Sequence, residues 1–123
     1  MKKFLLAIGA VMMLSTPAMA KIMCITKTQM MCNEDLGCEV INPVVWRVLD
    51  IENEQIHRCD NVGCDAIDIF HTNKSEDNGT TYLNFSFGGG AVLRMDSKTY
   101  KFVEMATWGL SSYISHGQCT LGE

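Results

Sequence analysis

Thr81-Tyr82-Leu83-Asn84-Phe85-Ser86-Phe87 is the stretch that decides the fold. Leu83, Phe85 and Phe87 alternate with Tyr82, Asn84 and Ser86, the period of two that sends successive side chains to opposite faces of a strand. Gly88-Gly89-Gly90 follows as a turn, and Ala91–Met95 begins the next run.

The same punctuation extends in both directions. Upstream, Ile22–Met31, Cys38–Ile41, Val44–Ile51, Gln55–Cys59 and Asp65–His71 are short apolar-polar runs. Turns rich in Asn, Asp and Gly separate them at Asn33–Gly37, Glu52-Asn53 and Asp60–Gly63. Pro43 fits only near the start or edge of a strand. In Val44–Ile51, Val45, Leu49 and Ile51 share one face, and Val44, Trp46 and Val48 the other. Downstream come Tyr100–Trp108, Leu110–Ser115 and a last segment around Cys119. Thr72 to Gly79 is polar throughout and reads as a mobile loop. No window carries an apolar i, i+3, i+4, i+7 stripe capped at both ends. These runs predict an all-β fold, a small antiparallel β-barrel or sandwich of about eight short strands.

Residues 1–20 read as a cleaved signal peptide. Lys2 and Lys3 precede an apolar run from Phe4 to Leu14, and Ala18-Met19-Ala20 is a small-x-small cleavage site. The apolar run is shorter than the roughly 20 residues that span a bilayer. Cys24 follows Lys21-Ile22-Met23, unlike a lipid-anchor cleavage site. The expectation is a periplasmic or secreted single domain, residues 21–123, with a bacterial Sec-type signal and no membrane anchor.

All 6 cysteines lie beyond the cut, in an oxidising compartment where an even count implies disulfides. Six cysteines allow 15 pairings. Cys32 and Cys38 bracket one turn and Cys59 and Cys64 another, each near enough for a bond. That leaves Cys24, in the first strand, to meet Cys119, in the last. The segments Asp35–Ile41 and Asn61–Ile67 echo each other as Gly-Cys turns feeding a strand. There is no C-x-x-C redox pair. For zinc, only Cys59 and Cys64 have ligand spacing, with His57, His71 and His116 as added donors, and disulfides take precedence.

Charge is concentrated. Without the signal the chain has 8 basic and 14 acidic residues, and eleven of the acids fall between Glu34 and Asp77 against three basic residues. Such a surface argues against nucleic acid, which demands clustered Lys and Arg. It favours a cationic protein partner. The expected partner-binding residues are Glu34, Asp35, Asp60, Asn61, Asp65 and Asp68, with Thr72–Gly79 alongside. The oligomeric state is left open.

Other constellations point less far. Asp60, Asn61, Asp65 and Asp68 gather oxygen atoms but lack calcium-loop spacing, and turn capping accounts for them. Ser111, Ser112 and His116 carry no G-x-S-x-G elbow, and Gly88-Gly89-Gly90 lacks the Lys and helix of a phosphate loop. No catalytic residue, cofactor or metal is assigned. Trp46, Trp108, Tyr82, Tyr100 and Tyr113 are of the type that forms contact hot spots when exposed, and most of them read as core or barrel-end packing; Met23, Met30, Met31, Met95 and Met105 read as gap-filling core.

The placing of Cys24 and Cys119 is similar to that in small periplasmic inhibitors of c-type lysozyme, which are flattened eight-stranded barrels. Gly90-Ala91 resembles part of their Ser-Gly-x-x-Tyr loop. Gly89 stands where that family has Ser, Leu93 where it has Tyr, and no Lys-Gly pair follows Trp108. The likeness therefore implies the architecture and not the inhibitory motif. The functional expectation is an exported, non-enzymatic binding or inhibitory module with an acidic surface. The alternative is a small-molecule or metal carrier with its site in the barrel mouth; a small hydrolase is the third reading.

Overall fold

A computed structural model describes residues 21–42, 44–88 and 90–121. The expected signal peptide, Pro43 and Gly89 lie outside the described residues. The elements are β1 (Lys21–Asn33), β2 (Gly37–Ile41), β3 (Trp46–Asp50), β4 (Gln55–Cys59), β5 (Cys64–Asp77), β6 (Thr80–Phe87), β7 (Ala91–Asp96), β8 (Lys101–Trp108) and β9 (Ser111–Leu121). Neighbours pair antiparallel in the order β2-β1-β3-β4-β5-β6-β7-β8-β9, and β1 also pairs with β9. That last pairing closes an eight-stranded barrel, with β2 as one additional strand. Closure removes the exposed edges that so many short strands would otherwise present.

The extra strand has a simple origin. β3 lies beside the first half of β1, from Lys21↔Asp50 to Ile25↔Trp46. β2 lies beside the second half, from Gln29↔Ile41 to Asn33↔Gly37. Both run along the same edge of β1, so its second half extends past β3 and takes β2 as its partner there, while its other edge stays paired with β9.

Disulfides fasten this frame at three places: Cys24–Cys119, Cys32–Cys38 and Cys59–Cys64. Each joins cross-strand partners. Cys24–Cys119 sits in the β1–β9 seam with both residues 0% exposed. The two short bonds clamp the β1–β2 and β4–β5 turns.

Period-two alternation fills the interior. Ile22, Leu49, Ile56, Ile69, Phe85, Phe87, Leu93, Met95 and Phe102 form the apolar core. One place on the inner face is instead polar. Arg47 on β3 and Glu104 on β8 are 0% and 1% exposed and form an ion pair through Nε and Oε1 across the barrel. Arg47 Nη1 donates to Thr26 Oγ1. The Tyr113 hydroxyl donates to Glu104 Oε2 at 3.4 Å, and Ser115 Oγ donates to Gln29 Oε1 at 3.3 Å. The guanidinium of Arg47 also lies 5.7 Å from the Phe102 ring centroid. Two charges are tolerated in such a place because they are paired and hydrogen-bonded.

Three sequence expectations are corrected. Thr72–Gly79 is not a mobile loop: Thr72–Asp77 extends β5, pairs with β6, and turns at Asn78-Gly79. Asn78 and Gly79 have φ of 53° and 82°, as a two-residue primed turn requires. The polar side chains on this hairpin satisfy one another, with Asn84 donating to Asn73 and Ser75 and accepting from Arg94. The methionines are not all core, since only Met95 is buried and Met23, Met30, Met31 and Met105 are exposed. Finally, Ser111–Leu121 is one continuous strand, and β5 is longer than expected.

Candidate functional site: the clamped end of the barrel

Antiparallel strands alternate in direction, so the turns after β1, β4, β6 and β8 share one end of the barrel. Those after β3, β5 and β7 share the other. The first end carries both short disulfides. It also carries Leu36, Val62, Trp108 and Leu110, which are 77–91% exposed. Single exposed apolar residues are ordinary, but four of them on the turns of one rigid end form a surface suited to contact.

The turns themselves are built by backbone capping. Asn33 Oδ1 accepts from Leu36 N at 2.6 Å, and Gly37 takes φ of 75° to re-enter the sheet. Asp60 Oδ1 accepts from Val62 N at 2.8 Å and Gly63 N at 3.1 Å. Those two N–H groups hold the Asp60 carboxyl below its ordinary range. Asp60 thus keeps its charge while its geometry is spent on the turn.

The six residues expected to bind a partner are only partly brought together. Glu34 and Asp35 lie on the β1–β2 turn, and Asp60 and Asn61 on the β4–β5 turn, all exposed at the clamped end. Asp65 is one residue into β5 opposite Arg58, so it too faces this end. Asp68 does not join them. It lies further along β5 on the opposite face of the strand and accepts from Gln55 Nε2 at 3.4 Å. Thr72–Gly79 is also separated, because its turn lies at the far end. Among the described residues, no group of three or more His, Cys, Asp or Glu side chains is arranged to hold a metal ion.

Between the clamped turns the barrel opens into a cavity of about 410 Å³ lined by Gln29, Met31, Arg58, Trp108, Ser111 and Tyr113. Met31 adjoins Cys32, Arg58 adjoins Cys59, and Trp108 adjoins the β8–β9 turn, so the rim and the cavity share supports. Arg58 lies 5.1 Å from the Tyr113 ring centroid. The Tyr113 hydroxyl is pushed above its ordinary value, by burial first and by the neighbouring Glu104 carboxylate second.

A larger groove, about 500 Å³, lies outside the barrel over β7, β8 and β9. It follows the cross-strand neighbours Val92↔Met105 and Met105↔Ile114, and a smaller cavity beyond Ile114 is lined by Met30 and Val40. Volume alone does not rank it above the mouth cavity, whose walls mix a cation, an amide and aromatic rings.

The serine and histidine residues do not converge. Ser111 lines the mouth, whereas Ser112 and His116 lie on the outer face. Four residues of strand, about 13 Å, separate those two.

Sequence reasoning passed over Arg47, Arg58, Glu104 and Gln29. A signal existed for two of them. Arg47 sits between Val45 and Leu49, and Glu104 between Phe102 and Ala106, at the two-residue spacing of an inward face. The chain matches no family model, no curated protein and no solved structure.

Proposed function

We propose that the protein is an exported, non-enzymatic binding or inhibitory module that engages a cationic protein through the clamped end of its barrel. The observation that carries this reading is the coincidence, at one end, of two disulfide-locked turns bearing Glu34, Asp35, Asp60 and Asn61, of Asp65 at the start of β5, and of exposed Leu36, Val62, Trp108 and Leu110. Locked turns lose little entropy on binding, which favours recognition by preformed loops. Apolar tips supply contact area, while the acidic residues steer a basic partner and set salt dependence.

Site-specific photocrosslinking in the exporting cell tests it. A crosslinker at Leu36 or Val62 captures one discrete basic protein, and one at Asn78, on the far end, does not. The Asp60→Lys/Asp65→Lys variant loses the adduct. Adducts from Asn78 alone, or adducts indifferent to the charge reversal, refute the reading.

A further inference from the structure

The mouth cavity is walled by a cation and a side-chain amide. Arg58 is the cation. Among the described residues Arg58 forms no ion pair, although Asp65 is its cross-strand neighbour, and its guanidinium lies against the Tyr113 ring. Gln29 supplies the amide. It is only 6% exposed, and its Oε1 accepts from Ser115, which fixes the amide in the cavity wall. Both side chains line the same cavity.

The other walls define what accompanies the anion. Met31 and Trp108 offer polarisable apolar surface, Tyr113 adds an aromatic ring and Ser111 a hydroxyl. A planar ring fits against Trp108, and a carboxylate is what a guanidinium and an amide N–H bind together. The volume, about 410 Å³, lies within the 300–1,000 Å³ range of small-molecule sites. A metal ion is disfavoured, because Arg58 is the charged group lining the cavity. Phosphate alone would leave the apolar walls unused.

We infer that the mouth of the barrel is a binding site for a small aromatic or apolar monocarboxylate, with Arg58 and Gln29 holding the carboxylate and Trp108 and Met31 covering the ring. This site goes beyond the protein-binding surface on its rim. It takes a ligand of opposite charge to the proposed partner, and the two surfaces share Trp108.

The test uses the oxidised, signal-free protein and 1-naphthoate, with the neutral 1-naphthamide as its matched control. Calorimetry and tryptophan fluorescence report binding. Naphthoate binds at least about tenfold more tightly than the amide, the ratio one charge-assisted contact supports. Arg58→Gln removes that preference while leaving amide binding in place. Trp108→Ala weakens both ligands alike, and Met105→Ser, in the outer groove, changes neither. Equal affinity for the two ligands, a preference that survives Arg58→Gln, or sensitivity to Met105→Ser overturns the inference. So does the absence of binding at about 1 mM naphthoate. Circular dichroism and intact disulfides establish that each variant is folded before it is scored.

Discussion

Replacing Glu104 with Met leaves Arg47 charged, 0% exposed and without its counter-ion. Arginine does not escape by losing a proton, so the whole cost falls on the fold. Two contacts go together: the ion pair to Arg47 and the hydrogen bond from Tyr113. Breaking a buried pair from one side costs about 3–5 kcal/mol. With a urea slope of about 2 kcal/mol per molar, the midpoint falls by about 2 M. The double variant Arg47→Met/Glu104→Met removes both charges and keeps the interior filled with side chains of similar length. It stays within about 2 kcal/mol of the parent, because paired charges and apolar replacements of like volume are nearly equivalent inside a protein. The assay is equilibrium urea unfolding with all three disulfides intact, completed by Arg47→Met to close the cycle. A Glu104→Met shift below about 0.5 M refutes the reasoning, as does a double variant that loses the sum of the two single losses.

Other outcomes follow from the same framework. Removing Cys24–Cys119 by paired Ala substitutions costs about 4.7 kcal/mol on the chain-entropy account, against about 2.2 kcal/mol for either short bond, as read by urea unfolding. Under native conditions, reductant and alkylation followed by mass spectrometry open Cys32–Cys38 and Cys59–Cys64 first, because Cys38 and Cys64 are exposed and Cys24 and Cys119 are not. Gly117→Ala is destabilising by about 3 kcal/mol or more, since its Cβ would overlap the Ile25 carbonyl and the Phe102 ring; a thermal midpoint near that of the parent would contradict this. Acid weakens the protein through Asp50, Asp60 and Asp96, whose carboxyls are held below the ordinary value of 3.8 by hydrogen bonds from Asn53, from Val62 and Gly63, and from Lys98 and Thr99. A depressed carboxyl contributes stability above its unfolded pKa and loses it as pH falls through the folded one. Stability therefore declines below about pH 4, and Asp60→Asn/Asp96→Asn, which keeps the acceptors, flattens that decline.

Much of the fold was legible because its cause is local. Leu83, Phe85 and Phe87 face inward as their alternation requires, and the two short disulfides follow from turns of five and four intervening residues. The Asn78-Gly79 hairpin was legible too, from the positive-φ dipeptide, but the polarity of Thr72–Asp77 masked it. Polar strands are stable where each side chain bonds a neighbour across the ladder, as Asn73, Ser75, Asn84 and Arg94 do. The mouth cavity was beyond the sequence for a different reason. Gln29, Arg58 and Tyr113 come from three strands whose meeting depends on the stagger of a closed sheet, and stagger is not written in any one segment. The exposed methionines were misread because apolarity says which residues can pack, not which side of a closed sheet they stand on.

Cys24–Cys119 has a mechanical consequence. The bond joins the first and last strands with a sequence separation of 95. Tension applied to the two ends of the folded chain passes from Lys21 to Cys24, across one sulfur–sulfur link, and out through Thr120 and Leu121. Nearly every residue of the barrel is bypassed and bears no load. Tethered by its ends, the protein is a short inextensible link, and its turns keep their shape however hard the tether is pulled, until a covalent bond gives way.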